Sequence, residues 1–273
     1  MDKLSYANKP TKDARELFEF VRGIKSREMR TNSIFTPPAL EALCGEGKAW
    51  ISLGEEAAVI LCPDTENIVR LYYYAKDASA LREVVSMLPE TSERVVCDIV
   101  GKGEQTENLS QELQEAGFRF YAKFQRMMCN NLQTDDSLDL SQVEFARPED
   151  ALEILDIVHQ EFDPMTARMP SVEALTKRIE SGEVFVVRKD GRIAGFTSFD
   201  SNQKRVALLD HVIVRPEYRE EKIAKKILWH KWKHHNESQY YILWINVLCD
   251  GPIRYHEKNG FQIDGMYDYI LTL

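Results

Sequence analysis

The sequence predicts an α/β fold of the mixed α+β kind: mostly antiparallel mixed sheets flanked by helices, in two tandem units of like element order. Three observations lead there. Leu208 to Leu228 (LLDHVIVRPEYREEKIAKKIL) starts as a strand and ends as a helix. Tyr240 to Val247 (YYILWINV) is a strongly apolar, β-prone run, followed by a turn, a short helix and the pair Gly260-Phe261. A weaker version of the same order precedes residue 130 and ends on its own pair, Gly117-Phe118.

In the first half, helices are expected at Asp13–Val21, Pro38–Leu43, Ser79–Leu88 and Leu109–Ala116. Leu81, Val84, Val85 and Leu88 fall on one helical face. Strands are expected at Ala49–Leu53, Ala57–Cys62, Ile68–Tyr74, Arg94–Val100 and Phe120–Met128. The polar, acidic stretch Asn130–Ser141 (NNLQTDDSLDLS) reads as a linker, which sets the domains at 1–135 and 142–273.

In the second half, Val143–Ala146 reads as a strand and Pro148–Phe162 as a helix with an acidic first turn. Ser171 caps a helix to Ile179. Strands Glu183–Arg188 and Ile193–Phe199 flank an Asp190-Gly191 hairpin turn. Arg215-Pro216 ends the strand Leu208–Val214, because proline has no N–H for a ladder and biases the residue before it to extended geometry. Ile223, Ala224, Ile227 and Leu228 then recur at helical spacing. A charged turn thus feeds a helix N-terminus, whose free N–H groups and dipole suit a phosphate. After Asp250-Gly251-Pro252, Ile253–Asn259 reads as a helix closed by Gly260, and Phe261–Ile263 and Tyr267–Leu273 as two final strands.

These residues resemble the acyl-CoA site of the GNAT superfamily of N-acyltransferases. Its signature is a strand ending V-x-P, then Arg or Gln, x-x-Gly-x-Gly/Ala, and a helix. Val214 and Pro216 match the strand end, Arg219 the Arg/Gln position, Ala224 the last small residue and Ile227-Leu228 the helix core. Lys222, after Glu220 and Glu221, stands where the family has its central glycine. A lysine in the left-handed conformation costs roughly 1–2 kcal/mol, and the two carboxylates oppose a diphosphate. Lys222, Lys225 and Lys226 supply ammonium donors. Downstream, IRYHEKNGF is similar to the family's A-x-x-x-Y-E-K-x-G-F: Glu257, Lys258, Gly260 and Phe261 match in place. The family's tyrosine falls on His256, with Tyr255 one residue earlier.

The resemblance covers about Val143 to Leu273 and implies an N-acyltransferase, with acetyl-CoA as acyl donor and a small-molecule or peptide amine as acceptor. The donor would lie against Val212, Ile213 and Val214 and around Arg219, Glu220, Glu221, Lys222, Ile223, Ala224 and Lys225. The base would be Asp210 or His211, expected on opposite faces of their strand, and the acid His256 or Tyr255. A histidine acid of ordinary pKa would give a rate falling near pH 6.5. The first half, whose Tyr74–Leu81 (YAKDASAL) has no phosphate-loop pattern, would be a degenerate copy. A rival reading is a non-catalytic acyl-CoA-binding or structural tandem module.

Composition narrows the setting. Hydrophobic content of 44% suits a sizeable core, and no apolar run is long enough to span a bilayer. The N-terminus, MDKLSYANKP, does not read as a signal peptide. Five scattered cysteines (Cys44, Cys62, Cys97, Cys129, Cys249) suit reduced core residues and a cytoplasmic protein. The net charge of −9 argues against a nucleic-acid partner. His230, His234 and His235 have no carboxylate or cysteine at helical spacing, so no metal is expected. Trp232, Tyr240, Tyr241 and Trp244 read as core, with Trp244 a candidate for the acyl pocket.

Overall fold

In a computed structural model of the chain, the described residues are 13–65, 67–89, 91–132, 135–203, 205–234 and 239–273. They form two compact units. The first takes residues up to Lys123, with Pro164–Arg168 and Met266–Leu273; the second takes Phe124–Asp163 and Met169–Gly265. This partition differs from contiguous stretches 1–135 and 142–273. The cause is strand pairing across the two halves of the sequence.

The first unit begins with α1 (Ala14–Ile24). Asp13 and Glu16 form a reciprocal capping box there: Asp13 Oδ1 accepts from the Glu16 N–H at 2.7 Å, and the Asp13 N–H donates back to Glu16 at 3.2 Å. Next come β1 (Arg30–Thr31), α2 (Pro37–Gly45), β2 (Trp50–Leu53), β3 (Ala57–Pro63), β4 (Ile68–Ala75), α3 (Leu81–Ser86), β5 (Arg94–Lys102), α4 (Gly103–Ala116) and the start of β6 (Arg119–Cys129), whose part from Phe124 belongs to the second unit. Strands β2, β3 and β4 pair antiparallel. β4 and β5 pair in parallel only from Ile68↔Arg94 to Arg70↔Val96. Past that point the gap beside β4 is closed by the chain itself. β1 pairs with β4 at Arg30↔Ala75 and Thr31↔Tyr74. Asn32 donates to the carbonyls of Leu71 at 2.9 Å and Asp98 at 3.1 Å, and accepts from the Tyr73 N–H at 2.9 Å. Every residue of β4 is buried, because both its faces pack. Leu71 and Tyr73 join Val84 of α3 and Leu113 of α4, while Tyr72 and Tyr74 join Leu17 of α1 and Leu40 of α2.

The second unit holds β7 (Val143–Phe145), α5 (Ala151–Glu161), α6 (Val172–Glu180), β8 (Val184–Lys189), β9 (Arg192–Gln203), β10 (Val206–Val214), α7 (Ile223–His234), β11 (Tyr240–Asn246), α8 (Asp250–Lys258) and the start of β12 (Gln262–Thr272). β7 to β10 pair antiparallel in order. β10 and β11 pair in parallel, again over only three positions, Val206↔Tyr240 to Leu208↔Ile242. Ile223, Ile227 and Leu228 of α7 pack on one side of the sheet with Leu209 and Leu243. Ile154 and Ile157 of α5 and Leu175 and Ile179 of α6 pack on the other with Phe196 and Ile213.

Each unit's closing strand comes from the other half of the chain. β11 pairs antiparallel with β6, from Tyr241↔Cys129 to Asn246↔Phe124. β5 pairs antiparallel with the last part of β12, from Met266↔Lys102 to Thr272↔Val96. The two final strands expected from sequence are one strand, and Gly265 within it has φ of 81°, a backbone that glycine tolerates at no Cβ cost. Two helices start earlier than expected: α4 at Gly103 and α8 at Asp250.

Candidate active site

The site is built on β10, on the turn after it and on the start of α7. β10 continues to Val214 and β11 to Asn246, yet their ladder ends at Leu208. Among the described residues, Leu209 to Val214 therefore carry no ladder partner on that side, an open edge of extended backbone. Their other edge is held by β9, with Val212↔Thr197, Ile213↔Phe196 and Val214↔Gly195.

The β9 ladder slips between Leu209↔Phe199 and His211↔Ser198, so Asp210 is the extra residue of a β-bulge. A bulge re-aims side chains. It overturns the expectation that Asp210 and His211 face opposite ways. Leu209, before the bulge, packs on the α7 side, and Ile213, after it, on the α5–α6 side. Asp210 and His211 both face α5 and α6. Asp210 Oδ2 accepts a short hydrogen bond from the Arg178 guanidinium of α6, and His211 Nδ1 lies 3.5 Å from the same oxygen. The His211 ring is buried, meets Phe162 edge-on at 4.9 Å, and has Ser198 Oγ 3.0 Å from Nδ1. Burial lowers the His211 pKa; Asp210 opposes that shift and Arg178 adds to it. The ring is thus neutral at pH 7.

The turn after β10 is anchored from below. Arg215 donates from its backbone N–H to Ala194 O at 2.9 Å, and from its side chain to Ile193 O at 2.7 Å and to Glu153 at 3.1 Å. A Cβ on Gly195 would stand 2.8 Å from Ile223 Cγ2 and 2.9 Å from Ile213 O, so only glycine lets α7 begin this close to the sheet. Pro216–Glu221 is a 3-10 turn, and Lys222 follows at φ 57°, ψ 27°. Lysine takes here a left-handed conformation that glycine would adopt without strain. Its carbonyl accepts from the Lys226 N–H at 3.0 Å, opening α7. Arg219, Glu220 and Lys222 are exposed, Ile223 is buried, and Ala224 is half-buried. Lys189 pairs with Glu221 at 2.8 Å, which offsets one of the two carboxylates. Lys225 pairs with Asp135 at 3.0 Å and Lys226 reaches Gln142 at 3.2 Å, so those two ammonium groups already have partners.

On α8, Tyr255 and His256 pack edge to face at 5.1 Å, and His256 meets Phe261 at 5.3 Å. The Tyr255 hydroxyl and His256 Nδ1 are both buried without a hydrogen-bond partner among the described residues. Burial pushes the His256 pKa down to about 4 and raises that of Tyr255. This corrects the expectation of a His256 titrating near 6.5: the ring is neutral at pH 7, and its one remaining N–H is a far weaker acid than an imidazolium. Tyr255 keeps its proton there.

Other candidates settle into structural roles. The rings of His230 and His234 lie 4.9 Å apart, tilted by 47°, while His235 lies outside the described residues. No group of three or more His, Cys, Asp or Glu that could hold a metal occurs among the described residues. Trp232 packs on Tyr241 at 5.1 Å, and Trp244 lies half-buried under Arg126. The five cysteines are free. No helix among the described residues is long and apolar enough to cross a membrane. Sequence reasoning missed Arg178 and Ser198, which reach His211 and Asp210 only through helix packing and strand register.

Comparison with known proteins finds similar folds. Residues 180–263 match the family model of an acetyltransferase (GNAT) domain. Among solved structures, a GCN5-related N-acetyltransferase from Sphaerobacter thermophilus aligns over 95% of this chain and 90% of its own, with a TM-score of 0.54 and 14% identity. A tandem GNAT protein from the clavulanic acid biosynthesis pathway aligns over 98% and 90%, with a TM-score of 0.51 and 13% identity. A GCN5-related N-acetyltransferase from Kribbella flavida aligns over 97% and 96%, with a TM-score of 0.52 and 11% identity. At such identities the likeness is one of fold. No curated protein matches the chain.

Proposed function

We propose that this chain, whose residues 180–263 match the model of a GNAT acetyltransferase domain, moves an acetyl group from acetyl-CoA to a primary amine by direct attack, with no covalent enzyme intermediate. The observation that carries this reading is the open edge of β10 leading into a left-handed Lys222 and the start of α7. On that side the backbone of Val212 to Val214 has no ladder partner and suits an extended amide-bearing arm, with the Val214 carbonyl taking one long hydrogen bond from Arg219 Nε at 3.5 Å. The N–H groups between Arg219 and Lys225 suit a diphosphate, because a helix N-terminus presents unpaired donors. The left-handed backbone at Lys222 supports this fit despite the lysine, since the glycine-like path is kept and the side chain points to solvent.

When bound, the thioester supplies an activated acyl carbon. His211, neutral and buried, takes the proton of the attacking amine, while Arg178 holds the Asp210 carboxylate beside it. Tyr255 gives its proton to the departing thiolate; its buried, unpartnered hydroxyl supports that role over His256. The acceptor is a small-molecule or peptide amine, and the free cysteines suit a reducing, cytoplasmic setting. The first unit is a degenerate copy that binds no donor, because β1 and Asn32 occupy the gap beside β4.

Calorimetry with acetyl-CoA and a thiol-release assay over an amine panel test the proposal. We expect one donor site per chain, and a loss of rate of about a hundredfold or more in His211→Ala. A flat titration at millimolar acetyl-CoA overturns it. Binding without turnover of any amine favours the non-catalytic module.

A further inference from the structure

Ser198 has no part in the proposed proton transfers, yet its place is tightly set. It is 1% exposed, and its hydroxyl lies 3.0 Å from His211 Nδ1. The Asp210 bulge brings it there by making His211, not Asp210, its partner across the β9–β10 ladder. The rest of the ring's surroundings are apolar or fixed: Phe162 at the end of α5 and Phe196 on β9 flank it at 4.9 and 6.5 Å. The charged groups facing it are Asp210 on its own strand and Arg178 from α6.

A neutral imidazole carries its one proton on either nitrogen, and the partner of one nitrogen decides the state of the other. Nδ1 here meets two oxygens, Ser198 Oγ at 3.0 Å and the Asp210 carboxylate at 3.5 Å. A lone pair on Nδ1 would face that carboxylate, whereas an N–H is attracted to it. We infer that Ser198 is a positioning residue: its Oγ accepts a hydrogen bond from the Nδ1–H of His211, fixes that tautomer, and leaves the Nε2 lone pair as the base. Ser198 acts through His211 and touches no reacting atom. The consequence for catalysis rests on the proposed role of His211.

The tautomer is readable without turnover. In the full chain with ¹⁵N-labelled histidine, NMR should find His211 protonated at Nδ1 and bare at Nε2 at pH 7; the reverse pattern overturns the inference. In kinetics, Ser198→Ala should lower kcat about tenfold, the usual scale for a group that orients a histidine, and leave KM for acetyl-CoA within about twofold. Its acid limb should move to lower pH, because an acceptor on the N–H stabilises the imidazolium more than the neutral ring. A shift to higher pH would mean that the hydroxyl donates to Nδ1, and it overturns the inference, as does an unchanged rate and limb. Ser198→Thr keeps the hydroxyl and should restore the wild-type limb; failure to do so also counts against it. Full activity in His211→Ala sinks the base assignment alone, since the NMR pattern stands apart from it.

Discussion

The two units use the same device, a parallel strand pair that stops after three positions, and put it to opposite ends. In the second unit, β10 leaves β11 at Leu208 and its edge stays open to Val214. In the first, β4 leaves β5 at Arg70, and β1 with Asn32 fills the space beside Leu71 to Ala75. The helix entries differ likewise. At α3, Asp77 Oδ1 accepts from the N–H of Ser79 at 2.9 Å and of Ala80 at 3.2 Å, so the donors a phosphate would need meet a carboxylate of the chain itself. At α7, the left-handed Lys222 leads in, with no such carboxylate cap among the described residues. The β4 ladder with β3 runs without a slip, whereas β10 bulges at Asp210 and gathers two titratable groups on one face. An open strand edge is therefore a matter of what a splayed strand pair leaves unfilled.

The largest effect should come from separating the halves. Residues 142–273 alone lack β6, so β11 loses its ladder from Tyr241 to Asn246. Such a chain should show no cooperative thermal transition by circular dichroism. It would also expose a long unpaired edge, which favours aggregation. A cooperative melt close to that of the full chain would defeat the strand exchange and restore a contiguous tandem.

The next effect sharpens the open site. Tyr255→Phe should lower kcat about a hundredfold, the scale of a lost general acid. His256→Phe should change the rate little between pH 6 and 8, because His256 titrates at about 4. Its signature is in stability instead. The folded pKa lies below the ordinary 6.5, so on acidification the unfolded chain takes up the proton first. The His256 contribution is complete above pH 6.5 and is lost as pH falls to about 4, by about 3 kcal/mol. Chemical denaturation across that window should fall less steeply in His256→Phe. Loss of rate in that variant with none in Tyr255→Phe would reverse the assignment.

Much of the fold was legible along the chain because strands and helices are local patterns. Leu208–Val214, the turn at Arg215-Pro216 and the helix from Ile223 came directly from periodicity and from proline. What escaped depends on partners far apart in sequence. The exchange of β6 and β12 leaves no mark on either strand's own alternation. The bulge is hidden too: burial along β10 alternates without a break, so nothing in LLDHVIV announces that Asp210 and His211 share a face. β1 is only two residues long and has no pattern to read. The depressed pKa of His256 follows from burial against Phe261, a contact that its position beside the Gly260-Phe261 pair permits but does not dictate.

The smallest effect concerns the lysine at the mouth of α7. Lys222 holds φ of 57°, a region where a side chain costs roughly 1 kcal/mol or more and glycine nothing. Lys222→Gly removes that strain but makes the unfolded chain more flexible, which costs about 0.4–1 kcal/mol in return. The two nearly cancel, so thermal melting should shift by a few degrees at most. Affinity for acetyl-CoA then isolates the side chain. If the backbone alone carries the diphosphate, calorimetry should find Lys222→Gly equal to the wild type or slightly tighter, within about threefold. A loss of tenfold or more would mean that the ammonium contacts phosphate. The chain would then have replaced a conformational device with an electrostatic one, and the loss should shrink as salt rises, because an exposed ion pair is screened.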